Sequence, residues 1–184
     1  MMKNLIIISG IDGAGKSTLA RTLYRRIRCS GILPMAESLR RELSKVVPKE
    51  EIKMLWEKPT APHHRELLMK HSTDNRNKYG DSYYVLEWLK LRERELPRTV
   101  TVIIDDARFP CEFVGLRNKV DNSYHIHIHK EPSESQTGAY YSTLNGEAGS
   151  VCDLLLKWQP CFSHLHHSHT QHLVDLFDSY PVRN

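Results

Sequence analysis

The chain has 184 residues, 40% of them hydrophobic and 26% charged, which suits one folded domain and excludes a disordered or fibrous chain. Its formal charge of +4 is unevenly placed, with 23 basic and 16 acidic side chains in residues 1–129 and 3 against 6 in residues 130–184. The positive excess in the first two thirds suits nucleic acid and small phosphorylated ligands alike, because Lys and Arg meet the phosphate of both.

In chain order, Leu5-Ile6-Ile7-Ile8 is an unbroken apolar run ended by Ser9-Gly10, the pattern of a strand buried on both faces in a parallel sheet. It is far shorter than the ~20 residues that span a bilayer. The N-terminus also lacks a leader's long apolar stretch, so a cytoplasmic location and no membrane partner are expected. After Gly15, the residues Leu19, Ala20, Leu23, Tyr24 and Ile27 recur at helical spacing until Gly31 and Pro34 stop the pattern. Helices are expected over 37–47, 62–73 and 81–96, the last ending before Pro97. Thr99 to Ile104 reads as a second buried strand running into Asp105-Asp106, followed by a helix over 110–120 and a third strand from Tyr124 to His129. Residues 131–150 are rich in Ser, Thr and Gly with no period, as in a long loop serving as a lid. A weak strand near 152–156 and a helix near 170–179 follow. This alternation predicts an α/β domain with a mainly parallel sheet, and with no repeat or linker to divide it, a single domain over 1–184 is expected. Cys29, Cys111, Cys152 and Cys161 contain no C-x-x-C pair, so unbridged thiols are expected rather than a zinc site.

Between the first strand and the first helix stands Gly10-Ile11-Asp12-Gly13-Ala14-Gly15-Lys16-Ser17-Thr18, which contains G-x-x-x-x-G-K-S. Glycines let such a loop curl so that its N–H groups face a phosphate, and the helix N-terminus adds its positive end. Lys16 then reaches the β- and γ-phosphates while the Ser17 hydroxyl ligates Mg²⁺. A chance glycine-rich turn would not also supply the lysine, the hydroxyl and both flanking elements. A P-loop needs a carboxylate on a neighbouring strand to help hold the metal, and Asp105-Asp106 ends the second strand. Asp106 is the favoured metal carboxylate, with Asp105 able to serve or to cap the next helix. Arg108 stands two residues on, where a transferring phosphoryl group needs positive charge.

Three further stretches extend the pattern: Ala36-Glu37-Ser38-Leu39-Arg40; Arg65-Glu66-Leu67-Leu68 running to Ser72-Thr73-Asp74-Asn75-Arg76; and Asp105-Asp106-Ala107-Arg108-Phe109-Pro110-Cys111-Glu112. With the P-loop, these resemble the phage-type deoxynucleoside monophosphate kinases over roughly residues 3–130. The second stretch carries Ser72 where that family has glycine, and Arg76 one place early. The resemblance implies a three-layer P-loop kinase fold with a mainly parallel central sheet, a helical acceptor-binding region over 37–96 and a lid over 131–150. It implies ATP as phosphoryl donor with Mg²⁺, and a nucleoside monophosphate as acceptor. Gly10, Asp12, Gly13, Ala14, Gly15, Lys16, Ser17 and Thr18 would bind ATP. Arg40, Arg65, Asp74, Arg76 and Arg108 would bind the acceptor, and Lys16, Asp106 and Arg108 would carry the chemistry. Guanidinium forks suit that task because they bind phosphate bidentately. The family's lid arginine is missing, since no arginine falls between Arg117 and Arg183; Lys130, or Arg21, Arg25 or Arg26, would have to supply its charge. Trp56, Tyr79, Tyr83, Tyr84 and Trp88 could stack on a base, although most of them sit at core spacing.

His125, His127 and His129 alternate with isoleucines and share one strand face, more in the manner of polar packing than of a metal site. The histidines between His164 and His172 are expected as a solvated segment. Competing readings are a thymidylate kinase, a phosphomevalonate-type kinase, and a nucleic-acid-binding NTPase module. The chain offers no nucleic-acid-binding motif for the last, so nucleotides are the expected partners; a homodimer is compatible with the sequence.

Overall fold

Isoleucines on both faces of the first strand set the architecture around it. The structure, a computed structural model, describes residues 2–57 and 60–129, and the backbone of 154–157. It falls into two compact units, Met1–Pro34 with the chain from Leu96 onward, and Met35–Glu95.

In the first unit, strand β1 (Asn4–Gly10) holds Leu5, Ile6, Ile7 and Ile8 at no more than 2% exposure, so it needs cover on both sides. It lies between β3 (Thr101–Ile104) and β4 (Asn122–His129). Outside these stand β2 (Ser30–Ile32) and β5 (Leu154–Lys157), giving the order β2-β3-β1-β4-β5 with every pair parallel. All carboxyl ends therefore share one edge. The chain leaves β1 toward β2 and leaves β3 the opposite way toward β4, so the crevice outside these two neighbours is the topological switch point where open α/β sheets bind ligands.

Helix α1 (Lys16–Arg26) covers one sheet face, packing Leu19, Ala20 and Leu23 into a cluster with Ile6, Ile8, Ile103, Ile126 and Ile128. On the other face, Phe113 of α5 (Pro110–Arg117) stacks on His125 with ring centroids 4.2 Å apart and planes 20° from parallel. The result is an α/β fold with helices on both faces of a parallel sheet.

The second unit contains α2 (Ala36–Leu43), a 3₁₀ turn at Ile52–Trp56, α3 (Pro62–Tyr79) and α4 (Tyr83–Glu95). Its small core gathers Leu43, Leu55 and Leu68. Polar bonds converge on one carboxylate: Glu42 of α2 accepts the Tyr83 hydroxyl at 2.7 Å, the Tyr84 hydroxyl at 3.3 Å and Asn75 Nδ2 at 3.1 Å. The bond to Glu42 holds the Tyr83 hydroxyl well above the usual range, and burial does the same for Tyr84.

Several boundaries differ from expectation. The three-residue strand β2 is too short for its period to register. Helix α2 stops at Leu43 rather than 47, and Val47 precedes Pro48, which disfavours helical backbone. Helix α3 runs six residues past 73, to Gly80 at φ 93°, where glycine suits the turn. Helix α5 ends at Arg117, and β4 begins at Asn122. The lid over 131–150, Lys130, the helix near 170–179 and the histidines after 163 lie outside the described residues. Among those described, no helix is long and apolar enough to cross a membrane.

Candidate functional site

The glycine loop begins at Gly10, where the end of β1 pairs with Ile128 of β4. A Cβ on Gly10, at φ 138°, would stand 2.6 Å from the Ile128 carbonyl oxygen, so a side chain there would push the strands apart. The loop ends at Gly15, left-handed at φ 87°, which caps α1 without a side-chain hydrogen bond. No acidic residue stands in the first turn of α1. The helix dipole's positive end is thus not offset there by a carboxylate of that turn, an arrangement that favours an anion. Ala14 N–H bonds Ile11 O at 3.2 Å, and Thr18 N–H bonds Gly15 O at 3.0 Å.

Lys16 curls over this loop, its Nζ donating to Gly10 O at 2.8 Å and Ile11 O at 2.7 Å. Burial lowers its pKa to about 8, against the opposing pull of Asp12 and, more weakly, Asp106 and Asp105; Arg108 adds to the lowering. Both acids at the end of β3 thus act on the P-loop lysine. Asp105 is 5% exposed, and its Oδ1 has no hydrogen-bond partner among the described residues; Asp106 is half-buried. A buried carboxylate oxygen without a donor is the kind of hard oxygen ligand that Mg²⁺ takes. Ser17, Asp105 and Asp106 are oxygen donors of the chemical type that ion takes.

Arg108 follows directly. Its backbone N–H donates to Glu112 Oε2 at 2.7 Å, and that oxygen also accepts the Phe109 N–H at 3.1 Å. Glu112, 4% exposed, thereby caps α5 and fixes the backbone from which Arg108 projects. The arginine's Nη2 stands 3.4 Å from Asp12 Oδ1 in the P-loop. Sequence reasoning assigned Glu112 no role, although a glutamate at the third helical position after Pro110 is a helix-start signature.

Behind the loop, Ser9 Oγ lies 2.7 Å from His125 Nε2 and 2.9 Å from His127 Nδ1. Both imidazoles are at most 5% exposed. Burial, with the neighbouring His125, His129 and Lys16, lowers His127 to about 4, so it is neutral at ordinary pH. His129 is exposed.

The helical unit carries the other expected residues. Arg40 is half-buried, and its Nε is enclosed with no hydrogen-bond partner among the described residues. The Arg76 guanidinium lies 5.9 Å from the Tyr84 ring centroid. Arg65 and Arg76 share one side of α3 but stand three turns apart, ~16 Å along the axis. Asp74 is exposed. Of the aromatics, Trp88 and Tyr84 are core, whereas Tyr79 is 54% and Trp56 37% exposed. Tyr79 instead stacks on Tyr83 at 4.8 Å, and Trp56 Nε1 donates to Glu37 at 2.8 Å. Helical spacing suits core and rim positions equally, which is why it did not separate them.

A strand, a glycine-lysine loop and a helix at the switch point of a parallel sheet define an α/β protein with a P-loop. No family model matches the chain, and no curated protein matches it. Among solved structures it is similar to a shikimate kinase from Bacteroides thetaiotaomicron, with TM-score 0.49 and 12% identity, covering 95% of this chain and 98% of that one. It is also similar to a hexameric APS kinase from Thiobacillus denitrificans, with TM-score 0.37 and 19% identity, covering 82% of this chain and 28% of that one.

Proposed function

We propose that this protein is a kinase that transfers the γ-phosphoryl group of ATP to a small phosphorylated acceptor, a deoxynucleoside monophosphate. The observation that carries the reading is the convergence of Lys16, Arg108, Asp105 and Asp106 on one glycine loop at the switch point. Phosphoryl transfer needs positioning and charge neutralisation more than covalent chemistry, and this set supplies both. The loop N–H groups and Lys16 would hold the donor's phosphates, and Arg108 would neutralise charge on the moving group. An acceptor oxygen then bonds to the γ-phosphorus as the bond to the bridging oxygen breaks, and ADP leaves. Ser17 with Asp105 or Asp106 would hold Mg²⁺, which would supply positive charge to offset that of the donor's phosphates.

The acceptor class rests on the resemblance of the Arg40, Arg65 and Arg76 segments. The enclosed Arg40 Nε supports it, because a guanidinium with an unused buried donor suits an anion. The test is ADP formation from Mg²⁺-ATP with a panel of deoxy- and ribonucleoside monophosphates, mevalonate phosphate, and single-stranded DNA or RNA. A deoxynucleoside monophosphate should be phosphorylated fastest. Preference for mevalonate phosphate, or turnover only with nucleic acid, would overturn the acceptor assignment, and no turnover with any of them would overturn the kinase reading.

A further inference from the structure

Asp12 occupies an unusual place for a carboxylate. It lies inside the loop whose N–H groups and lysine are suited to an anion, and it faces two cations there. The Arg108 guanidinium reaches it at 3.4 Å, with about a third of each side chain exposed. Lys16, whose Nζ is bonded to the carbonyls of Gly10 and Ile11, feels Asp12 more strongly than any other charged neighbour. A phosphate entering the loop would need these same two cations.

We infer that Asp12 is a resserved counter-ion of the empty loop: it holds Arg108 over the P-loop at rest and gives it up to an entering polyphosphate, with which its own carboxylate competes. Three features support this. The Asp12–Arg108 contact is long and partly solvated, so it is the kind of pair that contributes little to stability and exchanges readily. Glu112 fixes the backbone of Arg108 independently, through the N–H bonds at 2.7 and 3.1 Å, so releasing the guanidinium does not release the residue. Asp12 also follows Ile11 directly, so the Lys16 bond to the Ile11 carbonyl and the Arg108 contact load adjacent positions of one loop. Asp12 is thus a positioning residue for Arg108, and its charge sets how tightly the loop takes polyphosphate. The inference rests on the phosphate-binding reading of the loop and not on the identity of the acceptor.

Calorimetric titration of inorganic pyrophosphate and of ADP, each without metal, into wild type and Asp12→Asn tests it. The expected result is tighter binding to the variant by about two- to fivefold, the range that the loss of one exposed ion pair allows. A carboxylate that contacts ligand, or that merely shapes the loop, predicts weaker or equal binding, and either outcome overturns the inference. In parallel, the side-chain ¹⁵N resonances of Arg108 in wild type, assigned with Arg108→Lys, should shift on adding pyrophosphate as the guanidinium changes partner. An Arg108 signal unmoved at saturation overturns the inference even if Asp12→Asn does not fold. Wild type that binds neither probe overturns the phosphate-binding reading along with it, whereas wild type that binds while the variant gains nothing overturns the inference alone.

Discussion

Replacing His127 by glutamine should flatten the acid side of the stability curve. In the fold His127 is wholly buried beside Ser9, with its Nδ1 at 2.9 Å from the hydroxyl. Its pKa falls from 6.5 to about 4, first through burial and then through His125, His129 and Lys16. The unfolded chain therefore takes up a proton below about 6.5 that the folded chain refuses until about 4. Stability falls as pH drops through that window and levels off below it. One pKa unit is worth about 1.4 kcal/mol, so this side chain withdraws about 3 kcal/mol across the window, a large share of the ~5–15 kcal/mol that holds a domain together. Glutamine keeps a hydrogen-bonding side chain but cannot titrate. Urea unfolding followed by circular dichroism between about pH 7 and pH 4 measures the difference. At neutral pH the variant should be the less stable protein, since it gives up a packed ring. The gap should then close as the pH falls, because only the wild type has this imidazole to charge. Carboxylates are common to both proteins, so their contribution cancels in the comparison. Parallel stability curves would refute the reasoning.

Nucleotide affinity should weaken as pH rises through about 8, where Lys16 loses its proton in the unliganded protein; a flat profile from neutral pH to well above that point contradicts the assigned charge. Asp106→Asn should lower kcat at least tenfold with little change in acceptor KM, and if Asp105→Asn alone is damaging, the metal carboxylate is the buried one. Arg65→Ala should raise the acceptor KM about tenfold or more, as the loss of a charged hydrogen bond worth ~1.5–3 kcal/mol requires, while the ATP KM stays put. Equal losses for both substrates would remove Arg65 from the acceptor site.

What the sequence discloses depends on how local the governing interaction is. Strand β1 and the P-loop are legible because their signals are contiguous: an apolar run, then glycines, a lysine and a hydroxyl within a few residues. The cap made by Glu112 is legible too, from its spacing after Pro110, although its effect on Arg108 is not. Alternation placed His125 and His127 on one face, but their partner Ser9 lies 116 and 118 residues away and is set by the register of β4 on β1. Likewise β2 is three residues long, and Gly31 within it faces Leu96 and Thr99 across a gap that a Cβ would crowd to 3.0 Å. Such a fit comes from tertiary packing, which no local period reports. The exposed Tyr79 and Trp56 show the same limit, for helical spacing says which residues share a side and not whether anything covers it.

The convergence of three helices on Glu42 bears on how the helical unit opens. A carboxylate that accepts from Tyr83, Tyr84 and Asn75 ties α2, α3 and α4 at a single point, so none of the three can swing out without breaking bonds to another. Their amide protons should therefore exchange with solvent as one cooperative group, with a common opening free energy, rather than fraying helix by helix. Through that shared carboxylate the three helices are expected to open as one foldon, and a single substitution, Glu42→Gln, should speed exchange in all three together.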